Sequence, residues 1–422
     1  MNKKSILIVA GVFYPEPIVS ANLLTQLATK LGEKYKVTVL RPHPTRPMGF
    51  DMSECDYSHF PFNVIEIDSY TCAASSLVGR FCESYSMGKV SSTYIKEHHD
   101  EIDFVFNDSW HLIGLNIVAR TCVKYKIPYI TPIQDIYPES LFSKFPDITF
   151  LKWVLKSILS PIDKYTLFHA ARIHTISEKM VEYLSTTRNI ARDKFIVVRN
   201  WQNEDSFIEY SQNRCPCSTS DSNLFTFMYL GNVGPLAGIE VLFDALKIAK
   251  LPNVRLVVAG SGSAKKSLQE KAREYANCNI EFWDVPAGMV PIIQDKADVM
   301  CLPMKRGSAM FSIPSKLPAY MFSAKPILSS VDKDSDTAVC IKDAKAGWVA
   351  IPEDAKDVAR CMKKATMLSR DQLLEMGKCG FEYSMRVFSL KNRHKAQRKA
   401  KFYINKCRSA SCMQSGWKRT SA

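Results

Sequence analysis

Two short segments carry residue types that together suit a phosphorylated ligand. Gly231-Asn232-Val233-Gly234 lies between an apolar run and a helical pattern. Glycines there let backbone N–H groups approach an anion, and the start of a helix adds partial positive charge. Ser312-Ile313-Pro314-Ser315-Lys316 precedes a helical stretch at Leu317–Ser323. A proline near the first turn, two hydroxyls, free amides and one ammonium at a single helix start suit a diphosphate. Each segment also has an unliganded reading, a tight strand-to-helix turn for the first and a capped helix with a solvated lysine for the second. The glycine spacing is not the dinucleotide pattern G-x-G-x-x-G, and it opens the second half of the chain rather than the first.

Other candidate groups read as ordinary structure. Asp334-Ser335-Asp336 has the D-x-D spacing of a metal site but suits a solvent loop equally well, with Asp336 a candidate contact to a bound ligand. His98-His99 before Asp100 ends a solvated helix, and His43 sits between prolines. Cys215-Pro216-Cys217 has no second pair at zinc-like spacing.

The elements that must position these residues repeat a rhythm. Apolar runs at Ser5–Ala10, Lys36–Leu40, Asp103–Asn107, Tyr129–Ile133, Ala171–Ile176 and Phe195–Arg199 alternate with helical patterns. The rhythm restarts at Phe225–Leu230 and continues through Asn253–Ala259, Ile280–Trp283, Val299–Leu302 and Pro326–Ser329. Strands alternating with amphipathic helices predict parallel sheets covered on both faces, an α/β fold of two doubly wound units facing across a cleft. The expected boundaries are a first domain over 1–202, a polar linker over 203–222 and a second domain over 223–380. A helix over 381–407 crosses back to the first domain, and a basic tail covers 408–422. Such sheets bind ligands at the carboxyl ends of their strands.

The 422 residues are 46% hydrophobic and 23% charged, the balance of a globular chain large enough for two cores. No apolar run is long enough to span a membrane. Thirteen scattered cysteines argue against a secreted disulfide framework and for a reducing compartment. Met1–Ala10 has the beginnings of a signal peptide, but Phe13-Tyr14-Pro15-Glu16-Pro17 stands where small residues should be, and a buried first strand fits better. The formal charge is +14, of which eleven Lys or Arg fall after Glu382, where no Asp or Glu occurs. An anionic membrane surface, nucleic acid or solvent alone would each suit that tail, but the body has no recognisable nucleic-acid module. Over 148–168, bulky apolar residues interleave with Lys152 and Lys156, suiting either a core helix or one lying in a membrane interface.

The sequence "PSKLPAYMFSAKP" from Pro314 to Pro326 resembles the donor-site helix of family 4 glycosyltransferases, retaining enzymes of the two-domain GT-B type. Tyr229–Gly234 resembles their phosphate loop, and Gln134-Asp135-Ile136-Tyr137-Pro138-Glu139-Ser140 a motif of members that build bacterial surface polysaccharides. Phe13–Pro17 and Thr175–Glu178 also match, so the resemblance runs roughly from Lys4 to Phe388. Within the family the chain is most similar to N-acetyl-fucosamine transferases of O-antigen and capsule assembly. The resemblance implies a nucleotide-sugar donor, UDP-linked with an N-acetylated amino sugar, bound by Gly231, Asn232, Val233, Gly234, Val285, Ser312, Ile313, Ser315, Lys316 and Asp336. It implies an acceptor on the first domain near Glu16, Ser20, Asn22 and Glu139, with Gln134 and Asp135 orienting the reacting groups beside Lys316. It further implies retention, no metal and no cofactor. The expected acceptor is a polyprenyl-diphosphate-linked sugar, and the expected location is cytoplasmic, peripheral at the inner face of the cell membrane, with no nucleic-acid partner.

Three departures from the family pattern stand out. Phe311 and Ala319 occupy the positions of a common E-x7-E pair. Asn232 and Ala237 replace an arginine and a lysine at the phosphate loop, and Ile18-Val19-Ser20-Ala21 replaces a Gly-Gly loop. Diphosphate binding then falls to Lys316, with Lys305 or Arg306 as further cations. A rebuilt donor site is one reading and a catalytically impaired partner in a polysaccharide assembly complex another; a nucleotide-sugar epimerase is a third.

Overall fold

The computed structural model describes residues 3–45, 56–72, 77–109, 112–142, 149–199, 202–213, 224–234, 237–307 and 313–389. They form two compact units, one over Met1–Val198 and the other over Arg199–Lys395.

The first unit contains β1 (Ser5–Ala10), α1 (Val19–Gly32), β2 (Lys36–Pro42), β3 (Asn63–Ile67), α2 (Leu77–Glu97), β4 (Phe104–Asp108), α3 (Ile113–Lys124) and β5 (Tyr129–Ile133). It continues with α4 (Glu139–Phe142), α5 (Thr149–His169), β6 (Arg172–Thr175), α6 (Glu178–Arg188) and β7 (Phe195–Val197). Its strands pair in parallel in the order β3-β2-β1-β4-β5-β6-β7. The expected first strand is β1, whose Ile6, Leu7, Ile8 and Val9 are all buried because helices cover both faces. Ile6, Ile8 and Ala10 pack with Leu24, Ala28 and Leu31 of α1.

The second unit contains α7 (Asp205–Asn213), β8 (Phe225–Leu230), α8 (Glu240–Ala249), β9 (Val254–Ala259), α9 (Lys265–Ala272), β10 (Asn279–Trp283), α10 (Val290–Asp295) and β11 (Val299–Pro303). After these come α11 (Lys316–Phe322), β12 (Ile327–Ser330), α12 (Asp336–Asp343), β13 (Gly347–Ala350), α13 (Ala355–Thr366) and α14 (Arg370–Val387). The sheet order is β10-β9-β8-β11-β12-β13, again parallel throughout. One core lies under α8 and α13, the other under α11 on the opposite face.

In both sheets the strand order reverses beside the first strand, between β1 and β4 and between β8 and β11. Connections depart in opposite directions there, leaving a crevice at the carboxyl ends of those strands. The two Rossmann-like units are those expected of the GT-B class.

The structure departs from the sequence reading in the polar stretch after residue 202. Residues 205–213 form α7, anchored by Phe207, which packs near Phe322 with ring centroids 6.0 Å apart. Gln202 donates its N–H to Phe388 and pairs with Ser389, so this stretch is tied to the end of α14. Cys215-Pro216-Cys217 and the chain beyond Ser389, including most of the expected 381–407 helix and the 408–422 tail, lie outside the described residues.

Candidate functional site

At the carboxyl edge of the second sheet, one lysine lies against the glycine turn. Gly231 follows β8 with φ near +153°, and a Cβ placed on it would stand 2.3 Å from Lys316 Cε. Only glycine lets the lysine stem cross at that distance. Lys316 Nζ ends 5.3 Å from the ring centroid of Tyr229, a cation–π contact. No described residue offers this ammonium an ion pair or hydrogen bond, and burial pulls its pKa below the usual lysine value. A half-buried cation beside a glycine turn, with no carboxylate among the described residues to neutralise it, has the chemistry to take an anion.

Two tyrosines hold this arrangement. The Tyr229 hydroxyl donates to the carbonyl of Asn232, bracing the turn from beneath while its ring supports the lysine. Tyr320, one helical turn beyond Lys316, donates its hydroxyl to the Leu230 carbonyl at 2.7 Å and accepts from the Leu230 N–H at 2.9 Å. The start of α11 is thereby fastened to the end of β8. In the sequence Tyr229 stands out only as the start of the phosphate-loop match. Its bracing role, like the clamp made by Tyr320, becomes visible only in three dimensions. The i, i+4 spacing of Lys316 and Tyr320 was the one available signal.

The structure also revises which amides are free. Gly231 donates its N–H to Ala259 and Val233 donates to Ser261, so neither N–H is available to a ligand. Asn232 and Gly234 have no such backbone acceptor among the described residues, and they are the donors left on the turn. A second glycine turn packs on the first. A Cβ on Gly260 would lie 2.2 Å from the Gly231 carbonyl oxygen, and one on Gly262 would lie 2.3 Å from that of Val233. The loop after β11 meets the same edge, with Met304 and Lys305 close to Gly238.

The remaining expected donor residues distribute as follows. Ile313 is buried in the core under α11, Ser315 is exposed at the α11 N-cap, and Val285 is partly buried against that core. Asp336 is buried in the first turn of α12, behind the Ser335 cap. Ser312 and Phe311 lie outside the described residues. Ala319, at the position of the expected second glutamate, faces the core. Lys305 is exposed, whereas Arg306 reaches the Pro352 carbonyl. Among the described residues no cluster of His, Cys, Asp or Glu could hold a metal ion.

In the first unit, Gln134 and exposed Asp135 follow β5 at the carboxyl edge of the sheet. Ser20 and Asn22 lie in the first turns of α1, Asn22 exposed. Two of the expected acceptor carboxylates are already engaged. Glu16 is buried and accepts the N–H groups of Phe13 and Thr45. Glu139 receives both terminal nitrogens of Arg188, at 2.9 and 2.8 Å, together with the Tyr183 hydroxyl.

A carboxyl that the sequence did not single out ends β4. The backbone around Asp108 is pinned: its carbonyl accepts from Gly11, the Asn107 carbonyl accepts from Thr131, and the Asn107 side chain bridges the Leu115 carbonyl and the Ser109 hydroxyl. Its own carboxylate has no partner among the described residues, and burial pushes its pKa up to about 7. An isolated acid titrating near neutrality at a switch point is a candidate proton-handling group.

Residues 225–366 match the family described as "Glycosyl transferases group 1". A probable glycosyltransferase, WbjE of Pseudomonas aeruginosa, is 21% identical over 252 residues, 58% of this chain and 61% of that protein. WcaI of Escherichia coli K12, a putative colanic acid biosynthesis glycosyl transferase, is 21% identical over 168 residues, 38% of this chain and 40% of its own length. The chain therefore spans less than two thirds of either curated relative. Among solved structures, Anabaena HepE in complex with UDP superposes with a TM-score of 0.68 at 13% identity, covering 94% of this chain and all of that one. WaaG, a glycosyltransferase involved in lipopolysaccharide biosynthesis, gives 0.63 at 14% identity, covering 94% and 99%.

Proposed function

We propose that this chain is a retaining family 4 glycosyltransferase that moves an N-acetylated amino sugar of the fucosamine type from UDP to a polyprenyl-diphosphate-linked sugar. The product is a precursor of surface polysaccharide, and the protein works in the cytoplasm as a peripheral protein at the inner face of the cell membrane. The observation that carries the reading is the unpaired Lys316 ammonium lying across Gly231. As the bond between the anomeric carbon and the diphosphate oxygen breaks and the acceptor oxygen bonds to that carbon, negative charge grows on the departing UDP, which takes up the hydroxyl proton. Lys316 and the free amides of Asn232 and Gly234 meet that charge without reorganising, and preorganised donors of this kind supply the largest catalytic effect open to such a site. Gln134 and Asp135 orient the incoming hydroxyl on the acceptor domain. The relatives' names support polysaccharide assembly, and the UDP complex of HepE supports the donor class.

Ala319 in the core favours a second reading, a UDP-binding partner that has lost transfer, because a ribose-contacting glutamate is missing there. Purified protein incubated with radiolabelled UDP-sugars and a lipid-linked acceptor separates the two. Labelled lipid is the expected result. UDP binding without transfer selects the non-catalytic partner, and interconversion of the sugar without acceptor would mean an epimerase.

A further inference from the structure

Helix α5 turns the wrong face outward for an ordinary surface helix. Positions i, i+3, i+7, i+11, i+14 and i+18 from Phe150 share one side, and they hold Phe150, Trp153, Ser157, Pro161, Lys164 and Phe168. Phe150 is 74% exposed and Trp153 64%, their rings stacked with centroids 6.4 Å apart. Ile158 flanks this stripe at 58% exposure, with exposed Lys156 on the other flank. The opposite side of the helix is a normal packed face: Leu159, Thr166 and Leu167 are buried, and Asn116 of α3 donates to the Ile162 carbonyl. This helix is seated in its unit yet keeps its largest aromatics in water.

Among the described residues of α5, the exposed lysines and the single acid divide cleanly between the two faces. Asp163 is the only acid on α5, and it is buried against Arg188 at 2.8 Å. Among the described residues of the helix Lys156 and Lys164 are exposed, and Lys194 lies over the Phe168 ring at 5.2 Å. Aromatic and aliphatic bulk edged by ammonium groups matches the boundary of an anionic bilayer, where rings sit among acyl chains and lysines reach the headgroups.

We propose that the exposed face of α5 is a docking surface for anionic lipid, independent of the basic tail. The inference deepens the lipid-carrier reading and rests on it for its purpose, since the docked unit is the one assigned to the acceptor.

The test is co-flotation of the full-length chain, without nucleotide, on vesicles of phosphatidylcholine alone or mixed with phosphatidylglycerol. The wild type is expected to float with the mixed vesicles and remain behind with the neutral ones. Phe150→Ser/Trp153→Ser should weaken binding at least about tenfold at every salt concentration. Lys156→Glu/Lys164→Glu should weaken it by a similar factor at low salt only. All four side chains are exposed, so unfolding midpoints should match the wild type and a loss of flotation would not reflect misfolding. Flotation of both variants at wild-type levels would overturn the proposal and assign lipid binding to the tail. A wild-type dimer that the serine variant splits, with no flotation, would also overturn it in favour of a second copy on this face. Flotation through α5 by a chain that fails to bind UDP would support the surface and overturn only the donor reading.

Discussion

A half-buried lysine ammonium with no carboxylate beside it among the described residues is a liability for the folded chain, and its cost is a measurable property of Lys316. Burial lowers its pKa, so between that value and the unfolded value the unfolded chain binds more protons, and stability rises with pH through that window. Without ligand, Lys316→Met is therefore expected to raise the unfolding midpoint at pH 7, with the gain shrinking as pH approaches 10.5. A variant less stable than wild type at pH 7 would mean the ammonium has a partner. Asp108 has the opposite protonation and the same logic. Its pKa is raised to about 7, so the folded chain holds the extra proton and stability falls as pH rises from about 4 to 7. Asp108→Asn should stabilise by about 2–4 kcal/mol at pH 8 and leave pH 4 unchanged. An equal effect at both pH values would remove the isolated-acid assignment. Lys316 and Gly231 were legible in the sequence because motif and spacing announce them. Asp108 was not, because only the strand order brings the end of β4 to a switch point.

At the level of elements, the sheet edge that carries Lys316 depends on how α11 is seated. Tyr320 clamps it to β8, and α14 supports the turn at its far end. A Cβ on Gly377 of α14 would stand 1.9 Å from the Ala324 carbonyl oxygen and 2.6 Å from its carbon. Backbone cannot yield as a side chain can, so Gly377→Ala should cost about 1–3 kcal/mol, seen as a lower urea midpoint with unchanged slope. An unaltered midpoint would mean that α14 shifts freely. The elements that the sequence hid have physical reasons for it. α2 meets α3 through small residues, with a Gly88 Cβ only 2.8 Å from the Gly114 Cα, so no apolar stripe marks it. β3 and β13 are short edge strands with mixed exposure, and α7 buries Phe207 alone. For α5 the sequence left two readings open, core or interface. Its inner face belongs to the core, while its aromatics are exposed.

For the whole molecule, the doubled strand–helix rhythm was enough to give two parallel-sheet units, because each sheet buries its strands on both faces and writes them as apolar runs. Hydrogen bonding was less legible: which amides of the glycine turn are free depends on Ala259 and Ser261, some thirty residues away. Charge is equally global, with eleven of the +14 gathered after Glu382. In the proposed function, Lys316 and the turn it crosses grip a diphosphate. Calorimetric titration of UDP and of uridine into wild type and Lys316→Met tests it most directly. The wild type is expected to bind UDP far more tightly than uridine, and the substitution to weaken UDP about 10- to 100-fold while leaving uridine nearly unchanged. Equal UDP affinity in the two proteins, or none in the wild type, would contradict it.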